Sequence, residues 1–157
     1  MSFEKVQEAL KGTELEHKLI QLEQSSATVE LAAKALHTEP DRIAKTLSFF
    51  VSGEPILIVV AGEARIDNRK YKDYFHEKAR MIPFDEVEEH VGHVPGGVCP
   101  FAVPDSVSIY LDVSLKQYDV VYPAAGSGNT AVSATIEELE KYTGYRAWID
   151  VCREKEN

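Results

Sequence analysis

Apolar positions along the chain keep two rhythms, a helical one of ~3.6 residues and a strand-like one of short runs. Phe3, Val6 and Leu10 fall at helical spacing, so residues 3–11 read as a short amphipathic helix, with Gly12 as its stop. Residues 16–22 read as a short strand. After the cluster Ser25-Ser26-Ala27-Thr28, the positions Val29, Ala32, Ala33 and Leu36 make one apolar helix face, capped by Thr28. Thr38-Glu39-Pro40-Asp41 predicts another helix start, because proline is tolerated in a first turn and Thr38 with Asp41 has capping spacing; this helix runs out near Lys45. Two apolar runs follow, 47–51 and 56–61, around Ser52-Gly53-Glu54-Pro55, and predict a β-hairpin. The second run is apolar on both pleat faces, as in a central strand covered on both sides.

Beyond the hairpin, Asp67 can cap a helix through Phe75 with Ile66, Tyr71 and Tyr74 inward. Residues 79–82 read as a strand and 84–91 as a helix with Val87 and Val91 inward. Residues 92–104 form a long loop rich in glycine and proline. Strands are expected at 107–113 and 118–122, a turn at 123–129, and short strands at 131–133 and 147–151. Thr135 and Glu138 have the spacing of a capping box for a last helix that Gly144 ends. Strands and helices interleave with no linker or repeat. The expectation is one α/β (α+β) domain over residues 1–157, a mixed twisted sheet wrapped by helices.

Composition narrows the function classes. The 157 residues fit one domain and can bury a core without disulfides. The formal net charge of −9 argues against unaided, tight binding of DNA or RNA backbone, although Arg65, Arg69, Lys70 and Lys72 make local basic spots. Cys99 and Cys152 stand in no motif spacing and read as reduced thiols. The longest apolar run, 56–61, is too short to span a bilayer, and the first residues lack the pattern of a secretory signal. A cytoplasmic protein with no membrane partner is expected.

Three stretches carry candidate chemistry. Lys45 stands at the edge of the apolar core, although a lysine near a helix end is most often merely solvated. The loop Gly92-His93-Val94-Pro95-Gly96-Gly97-Val98-Cys99-Pro100-Phe101 has glycines that allow close backbone approach to a ligand and prolines that fix its path. Ala125-Gly126-Ser127-Gly128-Asn129-Thr130 is a small-residue turn. It lacks the Gly-Lys-Ser/Thr ending of a phosphate loop and the Gly-x-Ser-x-Gly spacing of a nucleophile elbow. A metal reading through His90, His93, Glu86, Glu89 and Cys99 is weak, since Gly92 interrupts the pair and no second pair follows. Cys99 as a nucleophile has no histidine partner identifiable from sequence.

Taken in order, Ala44-Lys45-Thr46-Leu47, Pro95-Gly96-Gly97-Val98-Cys99-Pro100-Phe101 and Ala125-Gly126-Ser127-Gly128 resemble the YbaK/EbsC family of aminoacyl-tRNA deacylases, related to the editing domain of bacterial prolyl-tRNA synthetases. The segment 28–33 is similar as well, and the likeness spans roughly residues 3 to 151. The resemblance implies hydrolysis of the ester joining a mischarged amino acid to the tRNA 3′ end. It implies Lys45 as the essential lysine, with Thr46, Gly96, Gly97, Pro100, Phe101, Gly126, Ser127 and Gly128 around the substrate. Cysteine, alanine or related small amino acids are the implied cargo, with the tRNA 2′-hydroxyl helping to activate water and no cofactor or metal. Aminoacyl-tRNA and a synthetase such as prolyl-tRNA synthetase are the implied partners. A non-catalytic binding module of the same fold is the alternative. One departure stands out: Ala102 follows Pro-Phe where the family often has glycine.

Overall fold

The computed structural model describes residues 2–154. Helix α1 (Ser2–Leu10) buries Val6 and Leu10, as its spacing predicts. A 3-10 turn then leads into a shorter strand than expected, β1 (Leu19–Gln21). Helix α2 (Val29–Leu36) is capped by Thr28, whose hydroxyl accepts from the Leu31 N–H. Only a 3-10 turn, Pro40–Arg42, stands where a helix to Lys45 was expected. The chain is already extended at Ile43, and β2 (Ile43–Val51) contains Lys45. The N-cap of that turn is Glu39 rather than Thr38, with no side-chain cap hydrogen bond, and Asp41 has other partners. It is buried, and its carboxylate accepts from the Glu63 N–H at 2.9 Å and the Tyr118 hydroxyl at 2.7 Å.

The hairpin forms as expected: β3 (Glu54–Ala61) pairs antiparallel with β2, Lys45 lying opposite Val60. Asp67 caps α3 (Asn68–Phe75) through the Arg69 and Lys70 N–H groups. Tyr71 is fully buried, whereas Tyr74, expected inward, is 43% exposed and sits edge-on to Phe75 and Tyr110. Residues 79–82 make one bridge, Met81 to Phe49, rather than a strand. A 3-10 turn and α4 (Val87–Val91) occupy the next expected helix, with Val87 and Val91 buried.

The remaining elements are β4 (Ser108–Asp112), β5 (Val120–Pro123), β6 (Thr130–Val132), β7 (Ala134–Thr135), α5 (Ile136–Tyr142) and β8 (Ala147–Ile149). The capping box at the start of α5 is complete, Thr135 and Glu138 each accepting from the other's backbone N–H. The main sheet has the order β7-β5-β2-β3-β4-β8 and is mixed: β2/β3 and β5/β7 are antiparallel, β2/β5, β3/β4 and β4/β8 parallel. A second ladder joins β1 to β6, and an Ala124–Ala131 bridge ties it to the end of β5, so the sheet curls. β3 is central and buries Leu57 through Ala61 completely or nearly so. The face carrying Val59 and Leu111 packs under α1 and α5, while the face carrying Ile58 and Val60 packs under Tyr71 of α3. Among the described residues no helix is long and apolar enough to cross a membrane.

Candidate active site

The site follows from a gap in the sheet. β5 runs beside β2 only at Ile43–Tyr122 and Ala44–Pro123, then departs. Further along, the Ser48 carbonyl accepts from the Ile82 N–H and the Phe50 N–H donates to the Arg80 carbonyl. Backbone groups alternate between the two edges of a strand in an antiparallel ladder. Thr46, two residues before Ser48, therefore turns its N–H and C=O to that same edge, where no strand lies beside it among the described residues. The Thr46 hydroxyl oxygen is also buried without a hydrogen-bond partner, a state that costs roughly 1–3 kcal/mol unless a ligand satisfies it.

A cavity of ≈ 160 Å³ opens at this gap. Its walls come from the Ser26–Val29 cap of α2, the Ile43–Thr46 start of β2, Gly96 and Val98 of the long loop, and Tyr122, Ala124, Thr130 and Ala131 around β5 and β6. Small residues let these pieces close in. A Cβ on Gly96 would stand 3.1 Å from the Ala27 methyl, and one on Gly97 would lie 2.5 Å from the Gly126 carbonyl carbon and the Ser127 nitrogen. The two glycine-bearing loops thus touch backbone to backbone, and the Gly126 N–H donates to the Gly97 carbonyl at 3.0 Å.

The expected residues divide by position. Lys45, Thr46 and Gly96 line the cavity. Gly97 and Gly126 are buried behind the wall, holding the loops together, and Gly97 also donates its N–H to Val94. Neither of these N–H groups is open to a ligand. Ser127 hydrogen-bonds Asn129 and Thr130 through its hydroxyl, and the Gly128 carbonyl accepts from Ser26 N–H at 2.7 Å, anchoring the α2 cap. Pro100 and Phe101 are core: Phe101 is 1% exposed and packs with Val6 and Leu115 rather than facing the cavity. Sequence reading missed Ala27, Thr28, Tyr122 and Thr130 as lining residues. The Ser-Ser-Ala-Thr cluster was legible only as a helix cap.

Lys45 is half-buried, and its ammonium is held below the usual lysine range, first by burial and also by the nearby Arg65 guanidinium; Asp41 and Glu30 oppose the shift. No histidine, cysteine or carboxylate lines the cavity. His93 lies near Cys99, its Nε2–H donating to the Phe101 carbonyl at 2.7 Å with the Cys99 sulfur 3.5 Å away. Both are fully buried in the core, and burial pushes the Cys99 thiol up to about 12, so at neutral pH it stays a thiol. His90 instead packs edge-on against Phe50, 3.8 Å from a Glu86 carboxylate oxygen. Among the described residues no three of His, Cys, Asp or Glu cluster to hold a metal.

A half-buried lysine and an open strand edge thus meet a small-residue cavity between two loops of an α/β domain. The chain belongs to the family of aminoacyl-tRNA editing domains, which residues 23–142 match. It is 48% identical to the uncharacterized protein YwhH of Bacillus subtilis over 142 residues, 90% of each chain. It is 29% identical to a proline–tRNA ligase of Aquifex aeolicus over 90 residues, 56% of this chain and 16% of the ligase. A crystal structure described as a candidate trans-editing enzyme for prolyl tRNA synthetase superposes with TM-score 0.86 at 31% identity, covering 98% of both chains.

Proposed function

We propose that this protein is a trans-editing aminoacyl-tRNA deacylase that hydrolyses the ester of a tRNA mischarged with a small amino acid, acting beside a synthetase such as prolyl-tRNA synthetase. The observation that carries this reading is the pairing of Lys45 with the unpartnered Thr46 at the open edge of β2. Ester hydrolysis needs a positioned water and donors where negative charge develops on the carbonyl oxygen. Because the Gly97 and Gly126 N–H groups are already engaged, the donors in this reading are the Thr46 N–H and hydroxyl, aided by the Lys45 ammonium as a compact charge. The glycines shape the wall. Water oxygen attacks the carbonyl carbon, the carbon–oxygen bond to the ribose breaks, and the ribose oxygen takes a proton, leaving free amino acid and uncharged tRNA. The tRNA 2′-hydroxyl stands ready to help activate the water, since the cavity lining offers no histidine or carboxylate base. A cavity of ≈ 160 Å³ walled by Ala27, Ala32, Ala44, Ala124 and Ala131 suits a short side chain such as that of alanine or cysteine.

The test is a deacylation panel: tRNAs charged with Cys, Ala, Ser, Pro and Thr, followed for ester loss with the wild-type protein. Turnover on a small amino acid is expected. Binding of these tRNAs without turnover on any of them would make the protein a binding module of this fold instead.

A further inference from the structure

His93 is a buried titratable side chain that the ester chemistry leaves unused. It is fully buried, and its Nε2–H donates to the Phe101 carbonyl at 2.7 Å. Among the described residues no backbone hydrogen bond joins 92–94 to 99–102, so this side-chain bond ties the two ends of the long loop. Between those ends lies the part that walls the cavity. Gly96 and Val98 line it, a Cβ on Gly96 would stand 3.1 Å from the Ala27 methyl, and the Gly97 carbonyl accepts from the Gly126 N–H at 3.0 Å. The other ring nitrogen, Nδ1, is buried without a hydrogen-bond partner. A ring that donates through Nε2 and leaves Nδ1 bare is neutral. A second proton would set a charge and an unsatisfied N–H at Nδ1 inside the core, which is strongly disfavoured. Burial accordingly holds the imidazole below its ordinary value of 6.5; the Phe101 carbonyl opposes the shift and Lys5 adds to it. Lys5 of α1 is the charged group acting on the ring from a neighbouring element, and it repels a second cation. The Cys99 thiol, 3.5 Å from Nε2, is the titratable group of the same loop and stays neutral.

We propose that His93 is the positioning residue of the cavity's loop wall: its neutral ring ties Phe101 to the start of the loop, and protonating it releases Gly96 and Val98 from the cavity. Opening the loop exposes the ring, which then titrates as an ordinary histidine. The open form takes up a proton that the closed form refuses, so the balance moves toward opening as pH falls through 6.5, by at most about tenfold per pH unit for one proton. Lys45 and Thr46 belong to β2 and keep their places, so what is lost is the wall that holds the substrate rather than the charge beside it. The kinetic consequence rests on the deacylase reading; the movement of the loop does not.

The first measurement is an NMR titration of the wild type from about pH 8 to about pH 5. The amides of Gly96, Gly97 and Gly126 should shift with the midpoint of the His93 ring, before the amides of the β3 core move. In His93→Gln, whose side-chain amide can still donate to Phe101 but does not titrate, those shifts should vanish. The second measurement is deacylation of alanyl-tRNA across the same range. At about pH 8, His93→Gln should match the wild type within about threefold, whereas His93→Leu, which has no donor, should lose roughly tenfold in kcat/KM, mostly through KM. On the acid side kcat/KM should fall more steeply for the wild type than for His93→Gln. The amino group of the substrate titrates alike with both proteins, so the difference belongs to His93. Loop amides that stay still while the ring titrates, loop amides that move only with the β3 core, or a ring that never titrates in the folded protein would each overturn the proposal, as would identical acid limbs for the wild type and His93→Gln. If no ester is hydrolysed while the loop amides follow the ring, the deacylase reading fails and this one stands.

Discussion

Lys45 is a half-buried residue of strand β2 that lines the cavity. Its spacing from Pro40 points to a helix end, but Ile43 pairs with Tyr122, and that distant partner sets the backbone. In the strand, Lys45 stands half-buried at a sheet gap rather than solvated at a helix tip. Burial disfavours the ammonium, so Lys45 loses its proton below the ordinary value of 10.5. The unfolded chain holds that proton to higher pH, so this residue lowers stability below its folded pKa, and stability rises as pH climbs through the window beneath 10.5. Catalysis that needs the charge should therefore fall on the alkaline side before an ordinary lysine titrates. A pH–rate profile corrected for spontaneous ester hydrolysis checks this, and Lys45→Arg should move the falling limb upward. Ala102 provides a separate residue-scale test. Its φ of 55° lies in the left-handed region that Cβ disfavours. Ala102→Gly should stabilise the protein by about 1 kcal/mol, read as a raised denaturant midpoint.

At the scale of elements, caps and turns were legible because their determinants are local. Thr28, Asp67 and the Thr135–Glu138 box all cap the helices that their sequences announce. The box is further tied by Lys18, whose ammonium meets both Glu138 oxygens at 3.0 Å. Thr135→Ala should cost ~1 kcal/mol in thermal or denaturant unfolding. What sequence could not reveal was contact between distant loops. Nothing local in Pro95-Gly96-Gly97 or Ala125-Gly126-Ser127 says that they meet backbone to backbone, or that Phe101 turns into the core. That contact gives the glycines a packing role: Gly97→Ala must push the loops apart, costing about 1–3 kcal/mol and opening the wall of the cavity. A Gly97→Ala protein with unchanged stability and unchanged deacylation would contradict the packing described for these loops.

For the molecule as a whole, the sheet order sets where the cavity opens. β3 supplies the buried centre, and the departure of β5 from β2 leaves an edge where Lys45 and Thr46 meet a small cavity. A formal net charge of −9 repels a polyanion, so tRNA affinity should come from few contacts. With one or two phosphate contacts, log KM should vary with log salt with a slope of no more than roughly 2; a much steeper slope would mean a wider basic footprint than the surface offers. Lys45 should provide the charge for ester hydrolysis without being needed for folding. The most direct test of this is single-turnover deacylation of the tRNA that the wild type hydrolyses fastest, run with wild type and Lys45→Ala at matched thermal stability. Ester loss with Lys45→Ala should fall to the spontaneous rate while the unfolding transition remains cooperative. Wild-type turnover by a folded Lys45→Ala protein would contradict it.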